Sequence, residues 1–416
     1  MANGSRPSAT FSAMLARRTH YNEKLMLAFI LSMLVIAAGF TLVHLVRRLE
    51  QHARLAREKD KPCLVARFSR KSRNICLRSI HGLPSVGHAI IVGLYVAINI
   101  TITFVNIDHD SLPMVTNVGS RTAWLALGNL VIVVVLALKN NPLAYLTAWS
   151  YERLNIFHQV AGYTTAAFVI IHASCYSAYF VKSNRRDRLL QAKEIYGIVG
   201  GLSFFILGLA GATLRYWRYN TFYYVHVIFW VVCVVMTGLH QPDTNGKTFV
   251  VVTFVSSIWV LDSLLRLGRL VFYSTNSVKL EPLPNKGTRV ILAKAPIGAV
   301  PGKHCYLWIP KIRHCETHPF TVSTIDPLEF IVTSHHRFTH DLYTYAMSHP
   351  GIRLKASVGG IYGSIPSPSR YDTVVLISGG CGGSFAFGMA LDILRKLQSN
   401  QSKRIVFMWV IKHSCE

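Results

Sequence analysis

Seven apolar segments, each close to the length of a bilayer-spanning helix, constrain the fold of this chain more than any other feature. A transmembrane helix needs about 20 mostly apolar residues. The segments are Leu25–Val46, Val86–Ile107, Ala123–Leu138, Ile156–Phe180, Ile195–Leu214, Phe222–His240 and Phe249–Leu265. The first is uncharged and too long for the apolar centre of a signal peptide. The sequence therefore predicts a multi-pass protein in contact with membrane lipid.

Charge sets the orientation of these segments. The chain carries a formal net charge of +25, but its basic residues gather between apolar segments, so we expect no nucleic-acid partner. The loop from Arg47 to Ser85 holds eleven Lys or Arg against three acidic residues and is predicted to be cytoplasmic. The N-terminus is then outside. One loop does not fit the rule that basic loops are cytoplasmic, because in this orientation the basic stretch Val181–Glu194 would lie outside.

From Gly268 onward the chain changes to a soluble α/β pattern. The stretches "TRVILAKAP" and "DTVVLISGG" are typical of strands separated by turn residues. We predict an extracytoplasmic tail over residues 1–24, a helical membrane domain over 25–267, and two cytoplasmic domains over 268–370 and 371–416.

Four histidines in the fourth and sixth segments form two equally spaced pairs. His158 and His172 are fourteen residues apart, as are His226 and His240. Fourteen residues span roughly 21 Å of helix and return within about 40° of the same face. The two helices run in the same direction, which places His158 at the depth of His226 and His172 at the depth of His240. Facing histidines can ligate a haem iron axially, so the spacing favours two stacked haems, although single helical histidines are more often core residues.

The soluble region contains a glycine-rich strand-to-helix turn. Such a turn lets the backbone approach a phosphate, and the helix N-terminus supplies free amides. The candidates are Gly379, Gly380, Gly382, Gly383 and Ser384. Many strand–helix turns contain glycine, so the cluster alone also fits an ordinary turn.

Several blocks together resemble the fungal ferric-chelate reductases, in the superfamily shared with NADPH oxidases. They are "KNNPLAYLTAWSYERLNIFHQVAGY", "LRYWRYNTFYYVHV", the four spaced histidines, "PGKHCYLWIP", "HPFTVS" and "SGGCGGSFAF". The resemblance implies a multi-pass α-helical membrane bundle, then a cytoplasmic FAD-binding β-barrel and a truncated α/β nicotinamide-binding domain. It also implies a plasma-membrane location.

The resemblance further implies roles for individual residues. Two haem b groups would be held by His158, His226, His172 and His240. FAD would be contacted by His318, Pro319, Phe320, Thr321, Val322, Ser323, Phe338, Thr339, Tyr362 and Gly363, and NADPH by the glycine-rich turn. No catalytic residue is predicted beyond these cofactor contacts.

The implied activity is that of an NADPH-dependent ferric-chelate reductase, which moves electrons from cytoplasmic NADPH through FAD and both haems to an extracytoplasmic ferric or cupric chelate. Two alternatives stay open: a superoxide-producing oxidase of the same architecture, and a catalytically silent haem protein that partners a full-length reductase. The second arises because "RIVFMWVIKHSCE" (Arg404–Glu416) ends the chain early for this family. We therefore expect weakened or absent NADPH binding, and no layer covering Val406, Phe407, Trp409 and Ile411.

Overall fold

Seven long helices precede a region of strands in the structure, which is a computed structural model. It describes residues 9–56, 71–108, 111–241, 246–274, 276–363, 365, 368, 371–397 and 403–411. The helices are α1 (Ala9–Ala56), α2 (Val86–Phe104), α3 (Met114–Ala137), α4 (Tyr151–Lys182), α5 (Ala192–Ala212), α6 (Tyr219–His240) and α7 (Lys247–Phe272). All seven are long and apolar enough to cross a membrane, which confirms the predicted bundle.

Helix α3 begins nine residues before the apolar segment that predicted it. Its first turns contain Asn117, Ser120 and Arg121, which are buried. Arg121 donates from Nε to Asn22 Oδ1 at 2.6 Å and from a terminal nitrogen to the carbonyl oxygens of Ile102 and Val105 at 2.8 and 3.0 Å. A buried charge is tolerated when it is hydrogen-bonded, and hydropathy along one segment cannot detect such partners.

Helix α1 also exceeds its predicted bounds. It begins at Ala9, so most of the stretch predicted as a tail is helical, while residues 1–8 lie outside the described part of the chain. The basic loop that follows α1 is described only from Lys71, and its residues 57–70 lie outside. The chain forms two compact units, with the boundary between Val260 and Leu261. The domain boundaries drawn from the sequence stay predictions.

Seven antiparallel strands form one sheet in the second unit. They are β1 (Asn276–Leu283), β2 (Gly287–Leu292), β3 (His304–Trp308), β4 (His318–Thr321), β5 (Thr324–Ile325), β6 (Leu328–Thr333) and β7 (Arg353–Tyr362). Their spatial order is β4-β3-β7-β1-β2-β6-β5. The edges approach each other, since β4 contacts β6 and the Ser323 amide donates to the Glu329 carbonyl at 2.9 Å. The sheet is therefore curled as a barrel.

The interior of this barrel is filled by alternate strand residues. Val278, Leu280, Val290 and Leu292 are fully buried on β1 and β2, as the period of two along a strand requires. Helix α8 (Phe338–Ser348) adds Phe338, Leu342 and Ala346 to the same core.

A strand–helix–strand unit ends the described chain. Strand β8 (Thr373–Gly379) pairs in parallel with β9 (Arg404–Val410), and α9 (Gly383–Lys396) connects them. The helix covers one face, where the Phe387 ring lies 4.5 Å from the Phe407 ring and 5.5 Å from the Trp409 ring. Our expectation of no covering layer was wrong for Phe407, because α9 packs on the face that carries it. Trp409 and Ile411 are exposed, and Val406 lies on the opposite face of β9. The opposite face is exposed, as Ile377 and Val410 illustrate.

Candidate functional site

The first pair of histidines lies between α4 and α6. The ring centroids of His158 and His226 are 6.3 Å apart, with the planes inclined at 69°. These two helices do not pack closely along their backbones, since α4 packs mainly on α3 and α6 on α5. The imidazoles therefore meet across a gap that their own helices leave open.

The second pair meets in the same way, one level further along the helices. His172 and His240 have ring centroids 6.1 Å apart and planes inclined at 68°. His240 is the last residue of α6, so this pair lies at one end of the bundle. The near-identical spacing of both pairs follows from their shared separation of fourteen residues.

Three of the four imidazoles are held by backbone carbonyls. Nδ1 of His158 lies 2.9 Å from the Val133 oxygen, Nδ1 of His172 lies 2.9 Å from the Gly119 oxygen, and Nδ1 of His240 lies 2.8 Å from the Lys193 oxygen. A carbonyl oxygen can only accept, so Nδ1 donates and Nε2 keeps its lone pair. This is the arrangement that orients histidine ligands and raises their basicity in metal sites.

His226 differs from the other three. Its Nδ1 is buried and has no hydrogen-bond partner among the described residues, while its ring lies 5.1 Å from the Phe222 ring. A buried polar nitrogen without a partner is unfavourable. The ring is therefore positioned by packing rather than by a hydrogen bond.

Two glycines make room for the outer pair. A Cβ atom on Gly197 would stand 2.6 Å from ring atoms of His240, and one on Gly119 would stand 2.9 Å from Cβ of Cys175. Gly119 also supplies the carbonyl that His172 contacts. Larger residues at either position would displace an imidazole or the helix that carries it.

The two imidazoles of each pair would suit a metal-centred cofactor held between them. A metal bound to imidazole nitrogen at about 2 Å leaves the two ring centres roughly 6 Å apart, as both pairs have. No cluster of three or more His, Cys, Asp or Glu with metal-binding geometry occurs in the described part of the chain. Two nitrogen ligands alone suit a haem, whose macrocycle supplies the remaining ligands.

The residues predicted to contact a flavin lie around β4 and the start of α8. The His318 ring stacks on the Phe338 ring at 4.2 Å, and Phe320 stacks on Phe338 at 6.0 Å. Phe338 and Val322 are buried in the barrel core, so their side chains are not available to a ligand. Pro319 is exposed, and Thr321 is half-buried on the same strand.

Polar contacts complete this region. Burial lowers the pKa of His318, an effect that the hydrogen bond to Glu316 partly offsets. The Thr339 hydroxyl accepts from the His335 amide at 3.0 Å and donates to the His336 carbonyl at 3.1 Å. The Ser323 side chain is buried next to β6.

Tyr362 closes β7 beside a tight backbone turn. A Cβ on Gly360, whose φ is +67°, would stand 2.2 Å from the Tyr362 ring, so glycine is required there. The ring packs against those of Tyr306 and His304 at 5.5 and 5.8 Å. Burial raises the pKa of Tyr362, and the Arg269 side chain opposes this shift. Gly363 follows with φ +97°.

The glycine-rich turn lies between β8 and α9, where the sequence predicted it. Gly379 ends β8, Gly380 has a φ of +49°, and Gly382 immediately precedes the helix. Gly383 and Ser384 form the first turn of α9, whose amides are free of intrahelical partners. The Trp409 indole donates to the Gly380 carbonyl at 2.9 Å, which fixes the turn against β9.

Two sequence families match parts of the chain. Residues 122–237 match a family described as the ferric reductase like transmembrane component. Residues 371–416 match the ferric reductase NAD binding domain. The first match contains three of the four paired histidines, His158, His172 and His226, and the second contains the glycine-rich turn.

Curated relatives are similar along most of the chain. A probable ferric reductase transmembrane component of Candida albicans is 23% identical over 80% of this chain and 52% of its own length. A probable cell surface ferric reductase, kap2, of Aspergillus oryzae is 23% identical over 80% of this chain and 48% of its own. Ferric reductase transmembrane component 3 of Saccharomyces cerevisiae is 25% identical over 64% and 38%. The chain thus spans about half the length of the curated relatives it matches.

Sequence reasoning missed the groups that support the histidines. These are the carbonyls of Val133, Gly119 and Lys193 and the space provided by Gly197. Carbonyls carry no side-chain signal, so only the packing of α3 and α5 reveals them. Gly119 and Gly197, as glycines within apolar helices, were the one available hint of close approach.

Proposed function

We propose that this chain, which is similar to ferric reductase transmembrane components, conducts electrons across a membrane. The donor is cytoplasmic NADPH, with FAD and two haem b groups as carriers, and the acceptor is an extracytoplasmic ferric or cupric chelate. The activity is thus that of a transmembrane metalloreductase in the plasma membrane. The two partial family matches and the similarity to a cell surface ferric reductase support this assignment.

The observation that carries the proposal is the pair of facing imidazoles repeated at two levels. His158 and His226 are candidate ligands at one level, and His172 and His240 at the other. Haem held by these histidines would supply one-electron transfer. Each pair leaves Nε2 of at least one histidine with a lone pair, because its Nδ1 donates to a carbonyl.

The second unit contains the residues proposed to bind NADPH and FAD. Thr321 and Tyr362 both pair with His304 and lie on one face of the sheet, which suits a flavin ring and its polar edge. His318 and Phe320 face the other way and stack on Phe338. The turn at the start of α9 presents free amides to a pyrophosphate. Both lie in the same compact unit, so the protein would position nicotinamide and flavin while the cofactors supply the chemistry.

Cell-surface reduction of iron tests the proposal. The full chain is expressed in a host that lacks its own surface reductase, beside His172→Ala and His240→Ala variants and a His44→Ala control from α1. We expect ferric reduction above the empty host for the wild type and the control, and loss for the other two. Equal reduction by all four would contradict the proposal.

Two further measurements distinguish the superoxide-producing oxidase and the silent haem protein from a metalloreductase. Cytochrome c reduction that superoxide dismutase abolishes, without ferric reduction under anaerobic conditions, would identify an oxidase. Haem bands that NADPH cannot reduce until a full-length reductase is added would identify a silent partner.

A further inference from the structure

The loop between α4 and α5 is basic on the side of the membrane where basic loops are not expected. With the last residue of α4 and the first turn of α5 counted in, this cationic loop carries five basic residues against Asp187 and Glu194, namely Lys182, Arg185, Arg186, Arg188 and Lys193. Lys and Arg normally accumulate in cytoplasmic loops. This loop lies at the end of the bundle where α6 ends, and α7 must cross the membrane from there before β1 begins. Its charge therefore needs a reason other than membrane insertion.

Three cationic side chains of this loop are exposed and are not paired with an acidic side chain among the described residues. Lys182, Arg185 and Arg186 are exposed, and within the described ranges none of these three has an acidic side chain at ion-pair distance. The Arg185 amide donates to the Phe180 carbonyl at 2.8 Å, and a short 3₁₀ helix follows at Arg186–Leu190. The backbone is thus ordered while these side chains remain available to an anion.

The loop is connected directly to the outer histidine pair. Its Lys193 carbonyl holds Nδ1 of His240 at 2.8 Å. Another cationic residue, Arg18, lies near His172. Arg18 donates to the Tyr176 hydroxyl at 3.3 Å, and the Tyr176 ring lies 5.1 Å from the His172 ring. Cationic residues thus occur in the segments that contact each histidine of the outer pair, and a cationic surface concentrates anions.

We propose that this cationic loop captures metal chelates of net negative charge, such as carboxylate complexes, beside His240. The same charge disfavours cationic complexes. The inference rests on the proposed function for the acceptor being a chelate, but the capture itself requires neither haem nor NADPH. Carboxylate and phosphate groups share this chemistry, so anionic lipid headgroups are the other source of ligand that an experiment must separate.

Binding of a redox-inert chelate tests the proposal. The full chain in zwitterionic nanodiscs is titrated calorimetrically with gallium(III) citrate, beside an Arg185→Glu/Arg186→Glu variant. The matched control is Lys71→Glu/Arg73→Glu, which reverses two exposed charges at the other end of the bundle. We expect the loop variant to bind about tenfold more weakly, the control to bind as the wild type, and affinity to fall with added salt. An Arg185→Gln/Arg186→Gln variant should be intermediate.

Several outcomes would overturn the capture. These are equal affinity for all variants, insensitivity to salt, or tighter binding of hexaammineruthenium(III), a cation, than of the gallium complex. If charge reversal changes only the affinity for nanodiscs with anionic lipid, the cations serve headgroups and the proposal is wrong. Absence of haem would contradict the proposed function while leaving chelate binding intact, so the two failures are distinguishable.

Discussion

At the scale of single residues, the site depends on imidazoles whose orientation is set by neighbouring helices. The sequence predicted which histidines share a level, because spacing along a helix is encoded locally. It could not predict that carbonyls of Val133, Gly119 and Lys193 would accept their Nδ1–H groups, since those contacts join residues distant in sequence. The structure brings the four histidines together as two facing pairs, and their role as haem ligands stays a proposal.

Gly197→Ala tests the space beside His240. The new Cβ would overlap the imidazole at 2.6 Å, so we expect the outer haem to be lost and the inner one retained. The haem content per polypeptide measures this. Gly201→Ala on the same helix is the control, since its Cβ would meet Val169 at an ordinary 3.7 Å. Equal haem content in both variants would contradict the account.

His318 should make stability depend on pH. Burial lowers its pKa in the folded chain, so below an unfolded value of about 6.5 the unfolded chain binds more protons. The free energy of unfolding therefore falls as the pH drops from about 6.5 toward the lower pKa that His318 has in the folded chain. We expect the unfolding temperature to fall more between about pH 7.5 and about pH 5.5 in the wild type than in His318→Asn. An equal fall in both proteins would exclude this contribution.

At the scale of elements, hydropathy located every spanning helix but not every end. The first turns of α3 were missed because Arg121 and Ser120 are polar, although both are buried against α1 and α2 through hydrogen bonds. The strand–helix–strand unit was predicted correctly in order. The cover that α9 provides for Phe407 was not predicted, because the sequence does not say on which face of the strands the helix packs.

Gly388→Ala tests the packing of α9 on the barrel. A Cβ there would lie 2.3 Å from the Ser323 carbonyl oxygen, a backbone atom that cannot move aside alone. Overpacking of this kind costs about 1–3 kcal/mol. We expect faster hydrogen exchange in α9, measured by mass spectrometry. Gly382→Ala, whose Cβ would meet Ser378 at 3.8 Å, should exchange as the wild type does, and the same rate in both variants would contradict the contact.

Alkylation of Cys381 tests nucleotide binding at the glycine-rich turn. Cys381 and Cys315 are exposed free thiols, and Cys381 lies between Gly380 and Gly382. If the turn binds NADPH, the nucleotide should slow modification of Cys381 by a maleimide and leave Cys315 unchanged, as peptide mapping would reveal. Cys305 should resist modification in both cases, because burial raises the pKa of its thiol to about 12. Equal rates at Cys381 with and without NADPH would count against nucleotide binding by this chain.

At the scale of the whole molecule, a membrane bundle is followed along the chain by a barrel and a segment similar to a nicotinamide-binding domain. The family matches cover residues 122–237 and 371–416, and the barrel lies between them. The resemblance in sequence predicted this order, while the distances between the facing imidazoles required the structure.

The central claim is that four histidines hold two haems. The most direct measurement is the haem content of the purified full chain together with its low-temperature electron paramagnetic resonance spectrum. The account predicts two low-spin, bis-imidazole haems per polypeptide, and one after His158→Ala or His240→Ala. A preparation made with ample haem that contains none, or in which these substitutions leave the content unchanged, would contradict it.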